Sequence, residues 1–200
     1  MTRIARFGPW ISTLCITVGL WQLGGGAWLL LKAEVAQYLI SDSWQRQLAS
    51  SEEQKPWPWA DTWPVARLKI GGEKALTVLH GTSGQALAFG PGLLIGSGEP
   101  GNLAEPRTTV IAAHKDTHFR NLGTLKPGAV IQLQDKSGRW HAYRVRGSKV
   151  VNSETERLPV ARVPGLLLVT CYPFDAVTVG GALRYLVYAD HVDPVSTVQM

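Results

Sequence analysis

Hydrophobic spacing divides the 200-residue chain into three stretches. Residues 11–31 carry no charge, and that is about the 20 residues a helix needs to cross a bilayer core. Residues 32–54 are polar, with apolar positions at Val35, Tyr38, Leu39, Trp44 and Leu48. This loosely helical spacing either prolongs the first helix or makes a stalk. Beyond Val65 the period shortens to that of strands. Ala66-Arg67-Leu68-Lys69-Ile70 alternates, stops at Gly71-Gly72 and resumes over 75–79, which predicts a hairpin. Residues 81–98 are rich in Gly and small side chains, with a short helix expected near 85–89. Residues 108–114 form the next strand and 117–125 a helical turn. Residues 129–134 and 139–151 flank Asp135-Lys136-Ser137-Gly138 as a second hairpin. A polar connection over 152–164 leads to strands at 166–171 and 183–191. Seven or eight short strands, with no long amphipathic helix for a βαβ unit, predict a mainly β barrel or sandwich with short helices.

The flanks of the apolar span give it a direction. Arg3 and Arg6 precede it, Lys32 and Glu34 follow it, and the positive-inside bias keeps the short tail cytoplasmic and sends the rest across. Lys32-Ala33-Glu34 is a poor cleavage site and the span exceeds a usual signal core, so a retained anchor is expected rather than a signal peptide. Next comes Lys55-Pro56-Trp57-Pro58-Trp59-Ala60-Asp61-Thr62-Trp63-Pro64. Its prolines exclude a helix interior and suggest a stiff tether. Its tryptophans either dock on the following domain or lie at a lipid interface.

Composition narrows the function classes. With 45% hydrophobic residues the chain has room for one compact domain and an appendage. Residues 1–63 carry five basic and five acidic side chains, so the net charge of +5 lies on 64–200. A basic domain near a membrane suits anionic lipid or an anionic envelope polymer, or the charge serves solubility alone. Without a dense basic block or a stacking motif, nucleic acid is excluded as a partner.

Of the two cysteines, Cys15 lies inside the apolar span as a small filler. Cys171 is then alone beyond the membrane and has no internal disulfide partner. It closes the apolar run Leu166-Leu167-Leu168-Val169-Thr170-Cys171. A second run, Thr108-Thr109-Val110-Ile111-Ala112-Ala113-His114, ends in an imidazole. A third, over 181–188, carries Arg184 among apolar residues. Thiol, imidazole and guanidinium are the parts needed for acyl transfer through a thioester. A free thiol is only a few per cent ionised near neutrality, and neighbouring cations favour the thiolate. Each residue also has a plain structural reading: an inert buried Cys171, a hydrogen-bonded His114, and Arg184 as a surface ion pair with Asp190 or Glu73. His118 is a rival base. Asp116 and Asp175 either orient the imidazole or are solvated turn residues.

The segment Thr109-Val110-Ile111-Ala112-Ala113-His114-Lys115-Asp116-Thr117-His118-Phe119 resembles the histidine motif of sortases. Leu168-Val169-Thr170-Cys171 resembles their cysteine motif, and Leu183-Arg184-Tyr185-Leu186-Val187 their arginine strand, in the family's order. With its N-terminal anchor, the chain resembles most the membrane-tethered sortases of Gram-negative bacteria. The resemblance implies a closed sortase β-barrel and a transpeptidase without cofactor. The substrate implied is a protein with a C-terminal sorting motif of Leu-Pro-any-Thr-Gly type, held as a thioester and passed to an amine that the sequence does not identify. Cys171 is then the nucleophile and His114 the proton carrier. Arg184 stabilises the oxyanion, and Thr170 helps seat the substrate. The organisation expected is a cytoplasmic tail over 1–9, a transmembrane anchor over 10–31, a stalk and tether over 32–63, a catalytic domain over 64–193 and a tail over 194–200. The catalytic domain would lie on the periplasmic side of the inner membrane.

Some positions depart from the family pattern. Leu167 stands where many sortases have Thr, and Ala113 and Lys115 stand where Gly and Arg are common. None is a reacting group. By analogy with pilin-polymerising sortases, Asp61 and Trp63 could form a lid, reaching Arg184 and covering Cys171; docking elsewhere on the barrel is the favoured reading. The scattered histidines match no zinc site, and Glu154 and Glu156 are too few hard ligands for calcium. Two rival functions keep the thiol: a protease giving the thioester to water, and an L,D-transpeptidase, which usually shows Ser-any-Gly-Cys before the thiol. A third rival is a tethered, non-catalytic binding barrel.

Overall fold

The computed structural model describes residues 8–102, 104–176 and 181–192. Two compact units divide the chain, 1–38 and 39–200. Helix α1 (Gly8–Ser50) begins in the first unit and ends in the second. In the first unit its apolar side chains face outward: Trp21 is 81% exposed and Leu30 71% exposed. It is the one helix among the described residues that is long and apolar enough to cross a membrane. The expected tails over 1–9 and 194–200 lie wholly or almost wholly outside the described residues, as does the Val179-Gly180 part of the loop before Arg184.

The second unit is a closed barrel of eight strands: β1 (Pro64–Ile70), β2 (Leu76–His80), β3 (Gly92–Leu93), β4 (Thr108–Ala112), β5 (Val130–Gln134), β6 (Trp140–Asn152), β7 (Gly165–Cys171) and β8 (Leu183–Val192). Their order around the barrel is β1-β2-β3-β4-β7-β8-β6-β5. The interior is filled by Leu68, Val78, Ile111, Ile131, Leu133, Leu166, Leu168 and Val187. Each such side chain stabilises the fold by roughly 1.5–3 kcal/mol relative to exposure. Phe119 and Leu122, in the turn after β4, join that interior. A second cluster, Val110, Val151, Leu167, Val169 and Leu186, coats the outer face of the same wall under Leu94 and Leu158. Strand β7 is therefore buried on both faces, which is why 166–169 is a continuous apolar run rather than an alternation.

Two elements differ from the plainest reading of the pattern. Of the two fates left open for the tryptophans of the tether, Trp57 and Trp63 take docking on the barrel, so 39–63 is not a free stalk. Ile40 packs with Leu79 and Ala86, against Trp57 and Phe89. Trp57 meets the Phe89 ring edge-on at 5.2 Å, and Trp63 stacks on His80 at 4.1 Å. Burying indole surface outweighs the freedom that a Pro-rich segment keeps in water. Trp59 alone of the three stays outside, 80% exposed. Strand β3 is the other difference. It has two residues and closes the barrel between β2 and β4. It requires Gly92, where a Cβ would run into the carbonyl of Gly81. The short helix near 85–89 is found as α2 (Gly84–Phe89), capped by Ser83 Oγ, which accepts from the Ala86 N–H.

Candidate active site

Three adjacent strands bring the sequence candidates to one place. β4 and β7 run parallel, with Ala112 beside Val169. The ladder continues one residue further, the Ala113 N–H donating to Val169 O at 3.1 Å. His114 follows Ala113 in the chain, and Cys171 lies two residues past Val169, so both leave the same edge of the wall. β7 and β8 are antiparallel, with Cys171 directly opposite Arg184. Side-chain alternation sets the face. Val110 with Ala112, Leu167 with Val169, and Leu186 with Tyr188 belong to the outer cluster. Continuing each alternation puts His114, Cys171 and Arg184 at the edge of that apolar surface. Cys171 and Arg184 are half-buried and His114 is exposed.

Thr170 has the opposite parity. It is 2% exposed and its hydroxyl donates to Ala113 O at 2.7 Å. The expected role in seating substrate gives way to a tie that fixes the residue before His114 to the residue before Cys171. Arg184 does not pair with Asp190 or Glu73. Asp190 lies 3.6 Å from Arg146, and Glu73 accepts from Asn121. Instead Nη1 of Arg184 donates to Gly181 O at 2.6 Å and Leu183 O at 2.9 Å. That holds the guanidinium at the start of β8, through two of the five N–H donors a guanidinium carries.

His118 is half-buried. Burial, and then the charge of nearby His114, hold its imidazole below the usual range. Both effects favour the neutral ring, and Thr117 Oγ1 lies 3.2 Å from its Nδ1. Asp116 and Asp175 are exposed turn residues. The contacts of residues 61–63 follow the favoured docking reading rather than the lid. Trp63 is stacked on His80, Thr62 Oγ1 donates to His80 O at 2.7 Å, and the Asp61 N–H donates to Gln85. Glu156, one of two sparse calcium candidates, pairs with Lys149 at 2.8 Å.

The structure adds residues that motif reading missed. Just past Cys171, the rings of Tyr172, Phe174 and Tyr185 pack together, Phe174 and Tyr185 at 5.2 Å. Lys115, noted in the sequence only as a departure, sends its ammonium to Phe174 O at 3.0 Å and Ala176 O at 2.6 Å. Its position next to His114 was the only signal available.

The structure is a closed β-barrel in which Cys171, His114 and Arg184 stand at the ends of neighbouring strands. The model of the sortase domain matches residues 69–192, and the chain belongs to the sortase family, whose members are cysteine transpeptidases. It is similar to sortase D of Bacillus subtilis, 32% identical over 127 residues, which are 62% of this chain and 60% of that protein. The chain thus spans about 60% of the length of that curated relative. Among solved structures it is similar to sortase A of Corynebacterium diphtheriae, with 30% identity and a TM-score of 0.56 over 68% of this chain and 63% of that one. It is also similar to a pilus-related sortase C of Group B Streptococcus, with 25% identity and a TM-score of 0.56 over 66% and 68%. These relatives come from Gram-positive bacteria, so they give no support to the narrower resemblance to the Gram-negative type.

Proposed function

We propose that this protein is a membrane-anchored cysteine transpeptidase. It cleaves an LPxTG-like motif near the C-terminus of a target protein and joins the new acyl end to an amine. The observation that carries this is the shared register of β4, β7 and β8, with Cys171 opposite Arg184 and β4 leading to His114 alongside. The Cys171 thiolate attacks the carbonyl carbon at the cleavage point, and Arg184 donates to the oxyanion that develops. The C–N bond then breaks as His114 gives its proton to the departing amine, leaving a thioester. The incoming amine attacks the thioester and passes its proton to His114. The C–S bond breaks and the thiolate returns.

The exposed apolar part of α1 supports a single-pass anchor in the inner membrane. Arg3 and Arg6 on the short side support a cytoplasmic N-terminus and an extracytoplasmic catalytic domain over 64–193. The test is to incubate the full-length chain in detergent with a peptide library and several amines and read the products by mass. Peptide–amine conjugates that require Cys171 are expected. Products ended only by water would make it a hydrolase, and no product from any peptide would sink the reading.

A further inference from the structure

The imidazole and the thiol are delivered by different strands, and their relative placement depends on what ties the two strand exits together. On the strand side the ties are backbone and hydroxyl: Ala113 N–H to Val169 O, and Thr170 Oγ1 to Ala113 O. The β4–β7 register ends at Ala112 and Val169 among the described residues. Lys115 supplies a tie beyond it. Its Nζ donates to Phe174 O and Ala176 O, three and five residues beyond the thiol. The same segment is braced on its other side. Gly123 sits against the Phe174 ring so closely that a Cβ there would lie 2.7 Å from Cε2, and Tyr185 packs on Phe174 across β8.

We propose that Lys115 is a positioning residue that holds the Phe174–Ala176 segment against the exit of β4 and so fixes His114 relative to Cys171. It touches no reacting atom. A lysine suits the task because one ammonium supplies three donors and can serve two carbonyls of a turn at once. A neutral side chain would leave both carbonyls to find other partners and the turn free to drift. The proposal rests on the transpeptidase reading for what the histidine–cysteine pair accomplishes. It concerns the pair's alignment, which a simple alkylating probe can read without any substrate.

The experiment is the rate of iodoacetamide labelling at Cys171 in the full-length chain in detergent, resolved from Cys15 by peptide mass spectrometry. The variants are Lys115→Met, Lys115→Arg, Gly123→Ala, His114→Ala and the double variant Lys115→Met/His114→Ala. Misplacement of about 1 Å in an aligned pair costs up to roughly a hundredfold. Lys115→Met is therefore expected to slow labelling by about ten- to a hundredfold, with Lys115→Arg restoring most of it. Gly123→Ala, which moves the same segment without touching a charge, should also slow it. In the His114→Ala background Lys115→Met should add little, because the alignment it serves is already gone. A wild-type rate in Lys115→Met, or an undiminished effect without His114, overturns the proposal: the lysine would then act through charge or general packing. If Lys115→Met fails to fold, Gly123→Ala with and without His114 carries the same cycle. Peptide cleavage is scored separately. Normal transpeptidation with an additive cycle removes the positioning role alone, and a non-additive cycle without cleavage removes the transpeptidase reading alone.

Discussion

At its first residues β8 carries Arg184 opposite Cys171; at its last it carries His191 opposite Tyr143, beside the Asp135–His141 pair, of which His141 is buried and Asp135 half-buried. Both ends gather an imidazole with charged or polar neighbours. At the far end the polar groups are satisfied from within. Asp135 accepts from His141 at 2.8 Å, from the Ser137 hydroxyl and N–H, and from the Arg139 N–H. His141 is 8% exposed, and Gly101 lies so close over the pair that a Cβ would meet both side chains. At the near end His114 is exposed, Cys171 is half-buried, and Arg184 donates to carbonyls of its own loop. A satisfied, covered cluster rigidifies the fold. An open cluster on a rigid wall is the arrangement the proposed chemistry would need. The difference lies in burial and partners, not in residue type, and each end should therefore fail in its own way.

The largest expected effect is on the open end. His114→Ala should lower transpeptidation by roughly a hundred- to ten-thousandfold, the usual range for losing a general acid–base. Its melting temperature should stay near wild type, as measured by circular dichroism beside the activity assay. Asp135→Ala should do the reverse. It strands His141 and the donors of the turn at 137–139, costing about 1–3 kcal/mol in denaturant titrations, while the initial rate of the folded enzyme stays close to normal. A comparable loss of activity without loss of stability in Asp135→Ala would erase the distinction between the two ends. Gly101→Ala should also destabilise, because its φ of +76° disfavours a side chain and the added Cβ would press on both members of the pair.

Acidity separates the ends with smaller effects. Burial alone would raise the Asp135 carboxyl, but hydrogen bonds from Ser137, His141 and Arg139 outweigh it and hold the group below its usual range. A carboxyl lowered in the folded state stabilises above its unfolded value and loses that contribution as pH falls through the folded one. Asp135 should therefore add to acid unfolding only below about pH 4. His118 is lowered by burial and by His114, so the unfolded chain takes up its proton first. Stability should begin to fall below about pH 6.5, the ordinary histidine value. His118→Gln should flatten the melting temperature between that pH and the onset of the Asp135 effect. An unchanged slope would show that His118 is not the group responsible.

The open end was more legible in the sequence than the closed one. Cys171, His114 and Arg184 stand at or near the ends of apolar runs punctuated by Gly and Pro, and strand ends are where a barrel exposes chemistry. The hairpins at Gly71-Gly72 and Asp135-Lys136-Ser137-Gly138 were marked by turn residues, and both formed. What was hidden depends on packing between distant segments. Strand β3 is too short for a period, and only the approach of Gly92 to Gly81 reveals it. Docking of the tether's tryptophans was open to sequence reasoning, but not the partners of Trp57 and Trp63, Phe89 and His80, more than fifteen residues away. Thr170 reads as a site residue beside the nucleophile, yet strand parity turns it inward to Ala113. The Asp135–His141 pair was invisible for the same reason: its burial comes from the loop carrying Gly101, not from its own strands.

The central claim is that Cys171 forms a covalent acyl bond with help from the strands on either side. The most direct measurement is the intact mass of the full-length protein after brief exposure to LPxTG-like peptides. The account predicts an added acyl mass at Cys171 that hydroxylamine removes as a hydroxamate and that is absent from Cys171→Ala. Cleavage that persists in Cys171→Ala, or product formation with no adduct at that sulfur under any quench, would contradict it.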